Sequence, residues 1–236
     1  MNKLISKIKE KKSLKNLDDF LVEETVKKYT KEIPDNPKSK EFKRIVKEVR
    51  NELNRVYGCF FLKDEMSLNA RSSTKERKKI YSNLYKEIFS IAGNPKSILD
   101  LSCGYNPLSY EYLNCKPKYL CTEIAKKDVG NLNEWFIKNK IDGKCSQLDL
   151  IKSQKFPKAD ITFLFKTLDI LDNKKLAEKI VSAVKGKFVV SFATADLKGR
   201  RMNYPRRGWF EQMLKRLNRD YKKLSYTGEV FYLITS

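Results

Sequence analysis

An apolar strand that runs into a turn of small residues and then a helix is the pattern of Ser97-Ile98-Leu99-Asp100-Leu101-Ser102-Cys103-Gly104. Small residues are needed where the backbone must approach a ligand closely. The N-terminus of a following helix offers unpaired N–H groups to a carboxylate or phosphate. One glycine and one serine make a poor glycine-rich loop, so an ordinary tight turn is the alternative interpretation.

Acidic residues end the next two predicted strands and favour a bound nucleoside. Glu123 lies 19 residues after Gly104, where a carboxylate can accept both ribose hydroxyls of a nucleoside. Asp149 ends the third strand, where it can meet the amino group of adenine. The third glycine of a dinucleotide-binding loop is missing, so the pattern indicates S-adenosylmethionine.

Short apolar runs of β-rich composition alternate with helical stretches from Ser97 onward, which predicts a parallel sheet with crossover helices. Two runs near the C-terminus flank Gly228 and predict an antiparallel hairpin that closes the sheet. The predicted elements are strands over 97–101, 119–123, 144–149, 161–165 and 188–192, a helix over 173–184, and hairpin strands over 224–227 and 229–235.

The first part of the chain has helical periodicity instead. An apolar stripe at helical spacing predicts a helix over 41–57. A turn of composition Pro-Asp-Asn-Pro at 34–37 separates it from an earlier predicted helix over 17–32. The stripe consists of Phe42, Ile45, Val46, Val49, Leu53 and Val56. We therefore predict a basic helical domain over 1–70, with an RNA-binding role, and a second domain over 71–236.

Charge and composition restrict the function. The 236 residues include 50 Lys and Arg against 29 Asp and Glu, a net charge of +21, and no histidine. Without histidine, Ser-His-Asp and Cys-His nucleophile pairs, His-ligated zinc and His general bases are excluded. An excess of +21 on a chain with 41% hydrophobic residues predicts a folded protein with a polyanionic partner, nucleic acid first. An anionic membrane surface and a lysine-rich composition bias are the alternatives.

The cysteines and the N-terminus give expectations about the compartment. The five cysteines are an odd number without a Cys-x-x-Cys pair, which predicts neither a disulfide framework nor a zinc cluster. No apolar run approaches the ~20 residues of a membrane span, and no signal peptide is recognisable at the N-terminus. We expect a cytoplasmic protein that binds no metal and no membrane.

Several motifs together resemble one known family. The pentapeptide Ser73-Thr74-Lys75-Glu76-Arg77 precedes an Asp-x-x-Cys-Gly-x-Asn-Pro loop at 100–107. Phe163-Leu164-Phe165-Lys166-Thr167-Leu168, Val189-Val190-Ser191-Phe192 and residues 49–58 follow the same pattern. These segments span most of the chain and resemble the 16S rRNA (guanine(1405)-N(7))-methyltransferases that confer aminoglycoside resistance.

The resemblance implies an α/β fold with the Rossmann-like sheet of class I S-adenosylmethionine-dependent methyltransferases, a C-terminal antiparallel strand and a small helical N-terminal domain. It also implies S-adenosylmethionine as methyl donor and 16S rRNA in the 30S ribosomal subunit as substrate, with the protein acting as a monomer. In this interpretation Arg77 pairs with the cofactor carboxylate, Glu123 holds the ribose, and Phe165 lies near the methyl group. The full predicted cofactor set is Ser72, Ser73, Arg77, Ser102, Gly104, Glu123, Asp149, Leu150 and Phe165.

Three residues depart from the family pattern. Ser102 replaces the first loop glycine, so the backbone there must be compatible with a Cβ. Arg71 stands where many relatives have histidine, and Asp169 stands where relatives tend to have proline.

The predicted chemistry needs no general base, because guanine N7 carries a lone pair and no proton. Alignment of N7 with the methyl group can then supply much of the rate enhancement. Phosphate contacts would position the RNA, and Trp209 either stacks on an unpaired base or packs inward as the start of a helix. The predicted RNA-binding residues are Lys43, Arg44, Lys47, Arg50, Lys198, Arg200, Arg201, Arg206 and Arg207.

Two alternatives remain open from the sequence. One is a methyltransferase that acts on another RNA. The other is an RNA-binding or ribosome-assembly factor that keeps the fold with weak or no catalysis, which the substitutions at Ser102 and Arg71 motivate.

Overall fold

The computed structural model describes residues 1–15, 17–57, 66–195, 200, 202 and 206–235, with the backbone alone for 55–57. The chain divides into two compact units, Met1–Glu65 and Met66–Ser236.

The first unit is helical. It contains α1 (Asn2–Lys9), α2 (Asp19–Tyr29) and α3 (Lys40–Tyr57), with a short 3-10 turn at Lys12–Leu14. The apolar stripe of α3 is buried from Phe42 to Leu53, and α3 packs against α1 and α2, whose Ile8 and Val22 are buried too. The helix predicted over 41–57 is confirmed, and α2 is shorter than the predicted 17–32.

The second unit is built on a seven-stranded sheet with strand order β3-β2-β1-β4-β5-β7-β6. Strands β1 to β5 are parallel, and β7 runs antiparallel to both β5 and β6. The strands are β1 (Ser97–Asp100), β2 (Lys118–Glu123), β3 (Gly143–Gln147), β4 (Ile161–Phe165), β5 (Lys187–Ala193), β6 (Tyr221–Tyr226) and β7 (Glu229–Ile234). The predicted parallel sheet and C-terminal hairpin are confirmed, each strand within a few residues.

Helices cover both faces of this sheet. They are α4 (Ser72–Arg77), α5 (Tyr81–Ala92), α6 (Lys126–Lys138), α7 (Thr167–Leu171), α8 (Lys174–Ala183) and α9 (Gly208–Arg216). Asn173 caps α8, since its side chain accepts a hydrogen bond from the Leu176 N–H at 3.0 Å. The segment after the β1 turn, predicted as a helix, is a 3-10 helix at Asn106–Tyr112.

Successive side chains of each strand point to opposite faces of the sheet, and this produces two hydrophobic cores, one on each face. Ile98 packs with α5 and α6, whereas its neighbour Leu99 packs with α8 and α9 on the opposite face. The chain passes from β1 to β2 on one side of the sheet and from β4 to β5 on the other, so the strand order reverses between β1 and β4. Sheets of this kind bind ligands in the crevice at the carboxyl ends of the strands beside this point. No helix among the described residues is both long and apolar enough to cross a membrane.

Candidate functional site

Backbone N–H groups of the turn after β1 are hydrogen-bonded to Thr122 of β2. The Cys103 N–H donates to the Thr122 carbonyl at 2.9 Å, and the Ser102 N–H donates to Thr122 Oγ1 at 3.3 Å. Gly104 has φ +52°, and a Cβ built there meets no atom of the described chain within 4 Å. Ser102 has φ +49°, a left-handed conformation that favours glycine. The serine that departs from the family pattern therefore occupies a backbone conformation that suits glycine better.

Glu123 lies at the carboxyl end of β2 beside this turn. Its carboxylate accepts hydrogen bonds from the N–H groups of Gly104 at 2.9 Å and Ile124 at 2.7 Å. Burial raises the pKa of this carboxyl, while the two N–H donors oppose the shift. Each carboxylate oxygen retains acceptor capacity, so the half-buried group can accept hydroxyl donors from a ligand.

Asp149 and Leu150 follow β3 at the same edge of the sheet. Strand register pairs Glu123 with Gln147, so Asp149 is two residues beyond the partner of Glu123. The Asp149 Oδ1 accepts a hydrogen bond from the Ile151 N–H at 2.9 Å, and Leu150 is buried. The structure thus brings the turn, Glu123 and Asp149 to one edge, as the sequence predicts.

Arg77 occupies a different environment from Glu123. Its side chain is 3% exposed, and its Nε lies 3.0 Å from both carboxylate oxygens of Glu229. Its Nη1 donates to Asn106 Oδ1 at 3.1 Å, and its guanidinium lies 4.9 Å from the centre of the Phe165 ring. Although burial opposes its charge, Glu229 raises the pKa of Arg77 above its usual value. The residue predicted to bind the cofactor carboxylate is therefore paired within the protein.

A second cation joins this buried pair. Lys166 Nζ lies 2.6 Å from Glu76 and 3.4 Å from Glu229. The Lys166 N–H donates to Ser191, whose hydroxyl donates in turn to Glu229. Two cations and two carboxylates thus make a charge-balanced network, which we call the Arg77 network (Arg77, Glu229, Lys166, Glu76). Of these four residues only Arg77 was predicted as a site residue; Glu76 and Lys166 lie in the motifs quoted from the sequence, and Glu229 lies in none of them.

Asp100 connects the network to β1. It accepts hydrogen bonds at Oδ2 from Asn106 Nδ2 at 2.8 Å and from the Tyr119 hydroxyl at 2.7 Å. Burial raises the pKa of Asp100 to about 7, although these donors and Arg77 oppose the shift. Asn106 bonds both Asp100 and Arg77, so the Asp-x-x-Cys-Gly-x-Asn-Pro motif contributes to the interior of the protein as well as to the turn.

The remaining departures from the family pattern are also paired. Arg71 is buried 2.7 Å from Asp128 and lies over the Tyr105 ring at 4.7 Å. Asp169 accepts a hydrogen bond from the Ala193 N–H at 2.7 Å and pairs with Arg207 at 3.0 Å. Ser72 and Ser73 begin α4, exposed and half-buried respectively.

Three cysteines from separate segments meet beneath the turn. The Sγ atoms of Cys103, Cys121 and Cys145 all lie within 4.8 Å of one another, and all three residues are buried. Burial raises the pKa values of the Cys103 and Cys121 thiols, whereas hydrogen bonds from these two lower that of Cys145. Sequence spacing does not reveal this thiol cluster (Cys103, Cys121, Cys145), because strand register creates it by pairing Cys121 with Cys145.

The predicted RNA-binding residues divide into outward and inward groups. Lys43, Arg44 and Lys47 are exposed on α3, and Arg200 and Arg206 are exposed in the second unit. Arg50 instead donates to the carbonyls of Lys7 and Ile8, and Arg207 is 12% exposed beside Asp169. Trp209 is half-buried in α9, where it packs edge-on against Phe192 with the two ring centres 5.9 Å apart. Lys198 and Arg201 lie outside the described residues.

Comparison with known proteins gives consistent results. Residues 62–227 match a family model described as ribosomal RNA methyltransferase (FmrO). The 16S rRNA (guanine(1405)-N(7))-methyltransferases of Micromonospora echinospora and Micromonospora rosea are 25% and 26% identical to this chain over 177 and 180 residues. These matches cover 71% and 72% of this chain but 64% and 65% of the relatives, less than two thirds of their length.

One solved structure is similar over almost the whole chain. It is the 16S rRNA methyltransferase RmtF in complex with S-adenosyl-L-homocysteine, with a TM-score of 0.79, 19% identity and coverage of 99% of this chain and 97% of that one. This likeness confirms the predicted class I methyltransferase fold with its C-terminal antiparallel strand.

Proposed function

The chain belongs to the ribosomal RNA methyltransferase (FmrO) family, and from this premise we propose that it transfers a methyl group from S-adenosylmethionine to N7 of a guanine in the decoding region of 16S rRNA. The family match over residues 62–227 is the observation that carries the proposal. The open turn beside Glu123 supports it, because a carboxylate with free acceptor capacity at this edge suits a nucleoside.

Six of the cofactor residues lie at or just after the carboxyl ends of strands β1 to β4, and three lie on α4. Glu123 binds the ribose hydroxyls, Asp149 and Leu150 border the adenine, and the turn at Ser102 and Gly104 lets the backbone approach the cofactor. Ser72, Ser73 and Arg77 lie toward its amino-acid end, and Phe165 toward its methyl group. S-adenosylmethionine supplies an electrophilic methyl group on sulfur when it is bound.

The protein contributes orientation and needs no general base. Guanine N7 has a lone pair and no proton, which suits a chain without histidine. The rigid edge formed by the ends of β1, β2 and β4 holds the reactive groups in line, and such alignment lowers the barrier by several kcal/mol, roughly 7–11 at best.

The partner is 16S rRNA within the 30S subunit, and the protein binds it through contacts to its phosphates. The net charge of +21 and the exposed Lys43, Arg44, Lys47, Arg200 and Arg206 support this assignment. The basic helical domain over 1–70 contributes RNA contacts, and the protein acts as a cytoplasmic monomer that confers aminoglycoside resistance.

The test is transfer of labelled methyl groups from S-adenosylmethionine to purified 30S subunits that lack the modification, followed by mapping of the labelled nucleotide. Naked 16S rRNA and tRNA are assayed in parallel. We expect label on N7 of a decoding-region guanine, strongly reduced by Glu123→Gln and retained by Glu134→Gln, a matched change on the exposed surface of α6. Resistance is measured as growth of a sensitive strain in the presence of aminoglycosides.

Other outcomes contradict specific parts of the proposal. Label on tRNA or on another ribosomal nucleotide would refute the substrate while leaving the cofactor assignment. Binding to 30S subunits without label, and without cofactor binding in calorimetry, would identify an RNA-binding or ribosome-assembly factor that retains the fold.

A further inference from the structure

The thiol cluster is the strongest group of metal-ligating side chains outside the cofactor residues. Cys103 comes from the turn after β1, Cys121 from β2 and Cys145 from β3. Their Sγ atoms converge within 4.8 Å of one another although the residues are far apart in sequence. All three side chains are at least nine-tenths buried, which excludes water from the point where they meet.

The spacing of the three sulfur atoms suits one metal ion. Metal–sulfur bonds of about 2.3 Å in a trigonal arrangement place sulfur atoms about 4.0 Å apart. Sulfur atoms already within 4.8 Å of one another reach this spacing by small side-chain rotations. The backbone need not move, because the β2–β3 register holds Cys121 opposite Cys145 and the Cys103 N–H is bonded to Thr122.

The donor set selects the kind of metal. Within the described part of the chain, the group contains three sulfur atoms and no carboxylate or imidazole. Structural zinc is almost always four-coordinate, whereas soft thiolate ligands also select copper(I). We propose that Cys103, Cys121 and Cys145 form a three-coordinate site for a soft monovalent metal ion of the copper(I) type.

Binding is a ligand exchange without oxidation or reduction. Each cysteine that ligates as a thiolate releases its thiol proton to solvent, and copper enters and remains as copper(I). The neighbours of Cys103 in the chain, Ser102 and Gly104, are only half-buried, so an ion would enter the cluster at the turn.

The test uses the 236-residue chain with Cys59→Ser and Cys115→Ser, which leaves only the three cluster thiols. Copper(I) is supplied anaerobically, bound to a chromophoric copper(I) chelator, in the absence of S-adenosylmethionine and RNA. We expect the protein to remove one equivalent of copper(I) from the chelator and to develop sulfur-to-copper charge-transfer absorption. Failure to compete with the chelator would refute the site and leave the proposed methyl transfer unaffected.

Ligand variants and spectroscopy identify the donors. In the same background, Cys121→Ser and Cys145→Ser are each expected to weaken copper(I) binding roughly 100-fold or more, since loss of even a supporting residue costs 10–100-fold. Unchanged affinity in both variants would contradict the proposal. If a variant does not fold, X-ray absorption at the copper edge of the parent protein decides. Three sulfur neighbours support the site, and nitrogen or oxygen neighbours overturn it.

Discussion

Glu123 and Arg77 are both predicted cofactor ligands, yet the structure places them in opposite electrostatic environments. Glu123 is half-buried and its carboxylate is held by two uncharged N–H donors. Arg77 is 3% exposed and its guanidinium is paired with a carboxylate and covered by Phe165. A charge held by neutral donors stays available to a ligand, whereas a charge paired with a buried counter-ion is already compensated.

The difference separates binding from stability in the same site. Glu123 lies beside open space at the turn, so its removal should affect a ligand more than the fold. Arg77 connects α4 to β7 through Glu229 and to the β1 turn through Asn106, so its removal should affect the fold first. Substitutions of Arg77, Glu123 and their neighbours Asp100 and Ser102 test this separation.

Arg77→Ala should have the largest effect on stability. The change leaves Glu229 buried without its main partner, and breaking a buried ion pair costs roughly 3–5 kcal/mol. Urea unfolding measures the free energy. Adding Glu229→Gln to Arg77→Ala should recover part of the loss, because no uncompensated carboxylate then remains. A loss below about 1 kcal/mol would show that the pair does not support the fold.

Arg77→Lys examines the ligand role of the same residue. Calorimetry with S-adenosylhomocysteine and with 5′-methylthioadenosine, which lacks the amino-acid group, compares ligands with and without the carboxylate. If Arg77 acts only within the network, both affinities change by the same factor. A selective loss of S-adenosylhomocysteine affinity would instead support the contact that the family resemblance implies.

Asp100→Asn should remove a pH dependence of stability. The pKa of Asp100 is raised to about 7 by burial, compared with about 3.9 in an unfolded chain. Between these values the folded state binds more protons than the unfolded state, so stability falls as pH rises from about 4 to about 7. At about 1.4 kcal/mol per pKa unit, the decline is roughly 4 kcal/mol at most. Urea unfolding at pH 4.5 and 7.5 should show this decline in stability for the parent protein. An equal decline in the parent protein and in Asp100→Asn would contradict the prediction.

Glu123→Gln should weaken cofactor binding at a stability cost of only about 1 kcal/mol, because the amide NH2 replaces the acceptor oxygen of one of the two N–H groups that hold the carboxylate. The amide keeps one acceptor oxygen but loses the charge that strengthens hydrogen bonds from ribose hydroxyls, so S-adenosylhomocysteine affinity should fall roughly 10- to 100-fold, about 1.4–2.7 kcal/mol. Glu134→Gln on α6 is the matched control and should leave affinity unchanged.

Because burial raises the Glu123 pKa, the cofactor affinity of the parent protein should also fall in acid, and the glutamine variant should lack that pH dependence. A stability loss above 2 kcal/mol would mean that Glu123, like Arg77, mainly supports the fold.

Much of the fold could be predicted because it depends on local patterns. Short apolar runs between helical stretches predicted all five parallel strands, and the two runs that flank Gly228 predicted the hairpin of β6 and β7. The turn and Glu123 could also be predicted, since they follow directly from the ends of β1 and β2.

The environments of the charged residues could not be predicted, because they depend on long-range pairing. Arg77 meets Glu229 across 152 residues of sequence, and nothing local to Ser-Thr-Lys-Glu-Arg indicates a carboxylate partner. The thiol cluster depends on the β2–β3 register, which a shift of one residue would destroy. The inward direction of Arg50 and Arg207 likewise depends on which carbonyls and carboxylates lie next to them in the fold.

Ser102→Gly should have the smallest effect and tests whether backbone geometry alone shapes the turn. A left-handed conformation costs a non-glycine residue roughly 1–2 kcal/mol, and Ser102 has φ +49°. Glycine relieves this strain but gains about 0.4–1 kcal/mol of unfolded-state entropy, so the net stabilisation should be about 1 kcal/mol or less. Asn218→Gly is the control, because Asn218 has φ +52° on an exposed position and asparagine tolerates this region. Urea unfolding should therefore favour Ser102→Gly over Asn218→Gly. Since Ser102 and Gly104 donate to Thr122 and Glu123 through their backbone N–H groups, which the substitution keeps, S-adenosylhomocysteine affinity should change less than twofold. A larger change would mean that the serine side chain itself takes part in the cofactor site.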